Sequence, residues 1–213
     1  MARNLDKFIR RYTTMSSALD TLVNQKLVLL SPSKWDDTND VDFMELYRAY
    51  TKAESVLALC CTMASETYHH WRIFTQGMEG VCIEFDKQSL ENSLHNDASI
   101  ITRPVDYLLV KDLEAFGPQD AHRLAFVKRD GYSDEREWRI VSCSQEKAKL
   151  TCDVPIPLFS ISRIILNPWL PPPLAANIRS IIKNIPGCSS LKIETSALTN
   201  SSRWKAAGKK LVN

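Results

Sequence analysis

Only six of the 213 residues are glycine, and none lies in a run able to wrap a phosphate. A dinucleotide-binding fingerprint and a P-loop are both excluded on that ground. No apolar run approaches the roughly 20 residues that a bilayer-spanning helix needs. Met1 to Tyr12 is charged and lacks the apolar stretch of a secretory leader, so the chain is expected to remain cytoplasmic and away from membranes. A net charge of +2 is too small to imply a polyanionic partner by itself. Cys60, Cys61, Cys82, Cys143, Cys152 and Cys188 include no C-x-x-C pair and sit mostly in apolar strand-like contexts, as buried free thiols of a reducing compartment do. The four histidines, His69, His70, His95 and His122, lack zinc-ligand spacing, so no structural metal is expected. There is no G-x-S-x-G nucleophile elbow.

What is present is ordinary globular composition, 44% hydrophobic and 24% charged. Without an internal repeat or long linker, residues 1–213 read as one domain, with a core over about 7–200 and a basic tail at 201–213. The segments KFIRRYTT, LVLLS, SVLALCCT, GVCIEFD, SIITRPVDYLLV (broken at Pro104), YSDEREWRIVSCS, SISRIIL and LKIET read as strands. Helices are expected after Ser16 or Ser17, over residues 41–54 and 65–74, after Asp86, loosely within 111–127, and from the prolines at 171–173. Strands outnumber helices, which makes the class α+β.

Four segments carry chemistry. In Glu135-Arg136-Glu137-Trp138-Arg139, strand alternation places Glu135, Glu137 and Arg139 on one face. Paired carboxylates repel, which raises one pKa and suits acid–base or electrostatic work. A solvated Glu–Arg ladder reads the same way and contributes little. The acidic loop SPSKWDDTND offers Asp36, Asp37 and Asp40, either to a divalent cation or as caps for the following helix. His69 and His70 precede Trp71 on a short helix without a nucleophile beside them, which reads either as a base or, in preference, as a helix-face histidine next to a packing tryptophan. Arg10 and Tyr12 share one face of the first strand and Arg11 the other, so either arginine is placed to fork onto a phosphate.

Taken in order, these segments resemble the bacterial family known as domain of unknown function 2971. Arg11-Tyr12 matches its opening element. Ser31, Pro32, Trp35, Asp36 and Asp37 stand on its S-P-x-x-F-N-D-P motif, with Trp, Asp and Thr38 replacing Phe, Asn and Pro. Cys61-Thr62 ends the next strand. Trp71, Phe74, Gly80, Cys82, Ile83 and Phe85 keep the spacing of W-x-x-Y…G-x-C-I-x-F, with Phe74 for Tyr. Glu135, Glu137, Trp138 and Arg139 match E-x-E-W-R. The Asp36 substitution turns an amide donor into a pure acceptor.

The order of arginine, Ser/Thr strand end and late E-x-E is similar, more distantly, to the Arg-Ser-Glu class of ADP-ribosyltransferases. That resemblance implies a split β-sandwich of mixed and antiparallel sheets with flanking helices. It also implies NAD as substrate and an unidentified acceptor. Glu137 would stabilise the oxocarbenium-like transition state and Glu135 would serve the acceptor. Arg11 (or Arg10) and Tyr12 would hold the cofactor, Thr62 would scaffold the nicotinamide pocket, and Trp71 or Phe74 would stack on the nicotinamide. The rivals are a silent module that binds a nucleotide in the same cleft or a nucleic acid on the basic tail, and a metal-dependent hydrolase or nuclease built on Asp36, Asp37 and Asp40.

Overall fold

The computed structural model describes residues 7–75, 77–146 and 148–212. The first six residues of the charged N-terminal stretch and the last residue of the tail lie outside the described residues. In chain order come β1 (Phe8–Thr14), α1 (Met15–Asn24), β2 (Lys26–Leu30), α2 (Thr38–Thr51), β3 (Ser55–Thr62) and α3 (Tyr68–Phe74). There follow β4 (Gly80–Asp86), α4 (Lys87–Leu94), β5 (Ile100–Pro104), β6 (Asp106–Leu108), α5 (Val110–Glu114) and β7 (Val127–Arg129). The chain ends with β8 (Glu137–Ser144), β9 (Thr151–Pro155), β10 (Ile161–Leu166), α6 (Pro172–Lys183), β11 (Lys192–Thr195) and α7 (Ser202–Lys209).

Nine strands form one sheet, antiparallel throughout except for β10 against β11, while β6 and β7 make a small parallel pair. This is the α+β class, with the mixed and mostly antiparallel pairing that was expected. The central strand is β3. Along one edge it pairs with β8 over its whole length, and β5 follows β8. Along the other edge it forks. Thr62 pairs with Arg10 of β1, whereas Ala58 pairs with Leu30 of β2. The carbonyl of Cys60 lies between the two partners and accepts from Arg11 Nη1 at 3.4 Å. One arm of the fork continues through β4, β10 and β11, the other through β9.

Alternation then assigns the faces. Ile9, Leu57, Leu59, Val81, Ile83, Phe85, Trp138, Ile140 and Ile164 form the main core beneath α1, α4 and α6, with Ala18, Leu22, Leu90, Leu94, Ala175 and Ile182. The opposite face carries two smaller apolar clusters. Met44 and Tyr47 of α2 cover Val56, Ala58 and Val141, and Trp71 of α3 covers Tyr12, Cys82 and Ile165. Between these clusters, on the same face, lie the buried polar side chains of Arg10, Thr62, Glu84, Glu137 and Arg139.

Local signals explain most boundaries. Asp86 caps α4 by accepting from Ser89 N. Gly80 opens β4 where a Cβ would stand 2.2 Å from Thr75 Cβ. Several expectations need correction. The cap of α1 is Thr14, not Ser16 or Ser17, and α2 begins three residues before Val41 because Asp37 caps it. Pro104 does more than break a strand: β5 and β6 belong to different sheets. The basic tail folds into α7 with Ser201 as its cap. Strands β7 and β9 carried no clear alternation in the sequence.

A buried ion ladder crosses one arm of the fork. Glu84, fully buried on β4, meets Arg10 at 2.9 Å and Arg163 at 2.8 Å, and Arg163 reaches Glu194 at its more exposed end. Breaking a buried pair leaves a charge uncompensated, whereas a half-exposed one is screened. Glu84→Ala is therefore expected to cost about 3–5 kcal/mol, against about 1 kcal/mol or less for Glu194→Ala. Urea midpoints at unchanged m-value check the contrast.

Candidate active site

The E-x-E segment is built differently from a plain strand. Asp130–Glu135, rich in turn formers, winds as a 3₁₀ turn, and Arg136 at φ 43° swings the chain into β8. The expected strand from Tyr132 therefore starts at Glu137, and Glu135 lies before it. Both carboxylates nonetheless converge on one ammonium. Lys128 of β7 places Nζ 2.7 Å from Glu135 and 3.5 Å from Glu137.

Arg139 shares the face of Glu137, as alternation predicts, and its guanidinium is fully enclosed. It donates from Nε to Glu137 Oε1 at 2.7 Å and from Nη2 to Glu137 Oε2 at 3.0 Å. Its other edge donates from Nη1 to Asp40 Oδ1 at 2.8 Å, from Nη2 to Asp40 Oδ2, and from Nη1 to the Ala125 carbonyl at 3.0 Å. Trp35 lies against it, with the guanidinium carbon 5.1 Å from the ring centroid. The backbone N–H of Glu137 donates to the Tyr107 hydroxyl at 2.7 Å.

Three carboxylates thus share two cations, and burial acts on all five groups. For Glu137, only 5% exposed, burial pushes the carboxyl up, but Arg139 and Lys128 outweigh it and hold it below its ordinary value. For Asp40 and Glu135 burial wins, and both carboxyls are raised despite Arg139 and Lys128 respectively. Burial lowers the ammonium of Lys128, yet Glu137 and Glu135 carry it above its usual range. The ionised form is therefore disfavoured at Asp40 and Glu135 and favoured at Glu137.

Beside this cluster, at the fork, Thr62 pairs in register with Glu137 on one side and Arg10 on the other. The Thr62 hydroxyl donates to the Glu135 carbonyl and accepts from Ala64 N at 2.9 Å. Of the two arginines, Arg10 shares the face of Thr62 and Glu137. Its guanidinium is committed to Glu84 and to the Ala64 carbonyl at 2.7 Å. Arg11, expected to hold the cofactor, points to the opposite face and braces the fork. Tyr12 lies on the site face, with His70 stacked on its ring at 5.3 Å and Trp71 edge-on at 5.0 Å.

The two aromatic candidates part company. Trp71 is 1% exposed and donates from Nε1 to Glu66 at 2.8 Å, so it has no free face for a nicotinamide. Phe74 is 40% exposed and stacks on His70 at 5.7 Å, which leaves it a surface to offer. Burial lowers the pKa of His70, which favours neutral imidazole.

The acidic loop does not act as a set. Asp36 is exposed, Asp37 caps α2 through Asn39 N at 3.1 Å, and Asp40 is taken by Arg139. Among the described residues no three His, Cys, Asp or Glu side chains are arranged to hold a metal. Lys128, Tyr107 and the structural role of Asp40 were not legible in the sequence. One signal pointed there: the S-P-x-x-W segment and the E-x-E-W-R segment, distant in sequence, are brought together by Trp35, Asp40 and Arg139. A groove of about 390 Å³ beside them is lined by Asp37, Asp40, Phe43, Leu109, Leu113 and Lys128, among others.

The sequence model of the family described as "Protein of unknown function (DUF2971)" matches residues 70–140. That span holds Trp71, Phe74, Gly80 and the E-x-E-W-R segment, so the family resemblance is shown over that part of the chain. No curated protein matches. Among solved structures, DarT from Thermus sp. 2.9 in complex with NAD+ is 11% identical, with a TM-score of 0.45 over 90% of this chain and 96% of that chain. The same protein in complex with ADP-ribosylated ssDNA is 10% identical, with a TM-score of 0.47 over 90% of this chain and 94% of that one.

A carboxyl held below its unfolded value contributes stability that is complete above the ordinary value of 4.5 and is lost as pH falls through the folded value. Glu137 is itself one cause of the raised carboxyls of Asp40 and Glu135, so its own titration is read at the side chain rather than from stability. The ¹³C shift of the Glu137 carboxyl carbon, followed from neutral pH into acid, is expected to change with a midpoint below the ordinary value of 4.5. A midpoint above 4.5 would show that Arg139 and Lys128 do not outweigh burial.

Proposed function

We propose that this chain binds NAD on the sheet face at the fork of β3 and cleaves the nicotinamide–ribose bond, passing ADP-ribose to an acceptor. The observation that carries the proposal is the carboxylate of Glu137, gripped by Arg139 in a nearly dry position beside Thr62. Loss of nicotinamide leaves positive charge on the ribose carbon. A fixed carboxylate in a low-dielectric site interacts more strongly with that transition state than with the neutral ground-state sugar. Arg139 fixes the orientation of Glu137, which removes reorganisation at the moment of reaction. Glu135, whose carboxyl burial raises, suits proton transfer from the acceptor. The carbon–nitrogen bond breaks with its electron pair going to nicotinamide. The acceptor atom then bonds to the same carbon and gives its proton to Glu135. Phe74 supplies apolar surface for the leaving group, backed by His70 and Tyr12.

One observation favours a second reading, a catalytically silent nucleotide-binding module. Both oxygens of Glu137 already accept from Arg139, and Lys128 stands close to one of them. In the enzymatic reading the ribose must meet the remaining lone pairs of that carboxylate as Lys128 turns toward Glu135. In the silent reading Glu137 serves the fold alone.

Calorimetric titration with NAD, with nicotinamide release followed in the same samples, separates the two. Glu137→Gln keeps the side-chain shape and is first checked for cooperative urea unfolding. The proposal predicts saturable binding by both proteins and a fall of about 10²–10³-fold in nicotinamide release in the variant. Binding without release by wild type would leave the silent module. Absence of binding would remove NAD as the ligand.

A further inference from the structure

The surface around α7 is unlike the rest of the molecule. No side chain of this helix is buried, and Trp204 is 81% exposed. Residues 195–212 contain four cations, Arg203, Lys205, Lys209 and Lys210, and no carboxylate. At 100° per residue, Trp204 and Gly208 of α7 fall on one stripe, with Lys205 and Lys209 on one side of it and Arg203 on the other, and Lys210 follows at the C-cap.

This helix does not hang free of the body. Ser196 donates to Glu66, and Thr199 donates to the Pro168 carbonyl at 3.5 Å, just before Ser201 caps the helix. The residue after Pro168 is Trp169, and it opens a second platform. Arg72 of α3 lies over the Trp169 ring, its guanidinium carbon 4.1 Å from the centroid, and donates to the Tyr68 hydroxyl at 3.0 Å. Tyr68 packs edge-on against the same indole at 5.6 Å. Arg72 and Tyr68 are exposed.

None of these five cations, Arg72 included, forms an ion pair among the described residues, whereas Arg10, Arg139 and Arg163 are each held by carboxylates. Unneutralised cations interleaved with exposed aromatic and guanidinium planes are what a flexible polyanion with stackable rings requires. A duplex hides its bases in the stack. A membrane would be met by little more than two helical turns carrying one Trp as their large apolar side chain, a small face for interfacial anchoring. We propose that the Tyr68–Arg72–Trp169 stack and α7 form a binding track for single-stranded nucleic acid, with the Trp204 ring and the Arg72 guanidinium plane that Trp169 backs stacking on bases and Arg203, Lys205, Lys209 and Lys210 meeting phosphates.

The track is independent of NAD and is tested without it. Binding of the full chain to a fluorescent oligothymidylate is measured by anisotropy across a salt series. The same measurement uses a duplex of equal length and vesicles of phosphatidylserine and phosphatidylcholine. Trp204→Ala and the Lys205→Glu, Lys209→Glu double variant touch no buried side chain, so folding is retained. Trp204→Ala is expected to weaken binding about tenfold. The charge reversal is expected to flatten the plot of log K against log salt by at least about 0.7 for each cation removed. Single strand should bind more tightly than duplex. Equal affinity of wild type and both variants for the oligomer would overturn the proposal, as would duplex preference, binding to vesicles alone, or no binding to any of the three probes.

Discussion

The guanidinium of Arg139 is the contact on which this site depends. It sits at the centre of the sheet face, wholly out of water, and joins parts of the chain that share no sequence neighbourhood. Asp40 arrives from the first turn of α2, Glu137 from the start of β8, and the Ala125 carbonyl from the turn before β7. Such an arrangement contributes little net stability, because desolvating the charges costs about as much as their attraction returns. Its effect is on geometry and protonation. Arg139 grips Glu137 with one edge and Asp40 with the other, which fixes the orientation of Glu137 and holds its carboxyl below the ordinary value, while burial raises the carboxyls of Asp40 and Glu135.

The fork of β3 provides the setting for that carboxylate. Because β1 joins only at Thr62 and β2 only near Ala58, the two arms of the sheet diverge, and Arg11 bridges the carbonyl left between them. The face opposite the main core is therefore divided into two apolar clusters with a polar band between. That band holds Arg10, Thr62 and Glu137 in adjacent strands, so side chains far apart in the sequence become neighbours through register alone. The aromatic group of Tyr12, His70 and Phe74 closes one end of the band.

Much of this was legible in the sequence. The aliphatic and β-branched runs at LVLLS, SVLALCCT and GVCIEFD became strands because they are too short for a buried helix and suit strands covered on both faces. Alternation correctly joined Glu137 to Arg139 and separated Arg10 from Arg11. Periodicity was uninformative where irregular backbone takes over. The 3₁₀ turn at 130–135 removed Glu135 from its expected strand, and the left-handed Arg136 that ends the turn has no composition signature. Lys128 stands on a three-residue strand, too short to show a period, and its role emerges only when β7 packs beside the E-x-E segment. A packing role for Trp71 on its helix was legible, but not its partner, Tyr12, which comes from another element. The sheet order, and with it the fork, is a long-range property that local patterns do not encode.

If the polar band at the fork is the ligand face, NAD should be seen there directly. Backbone ¹H–¹⁵N spectra recorded along a titration with NAD provide the most direct test. The account predicts saturable shifts at Arg10, Tyr12, Thr62, His70 and Glu137, with little change in the groove beside α2 and α5 or along α7. Shifts confined to that groove or to α7, or none at all at high NAD, would contradict it.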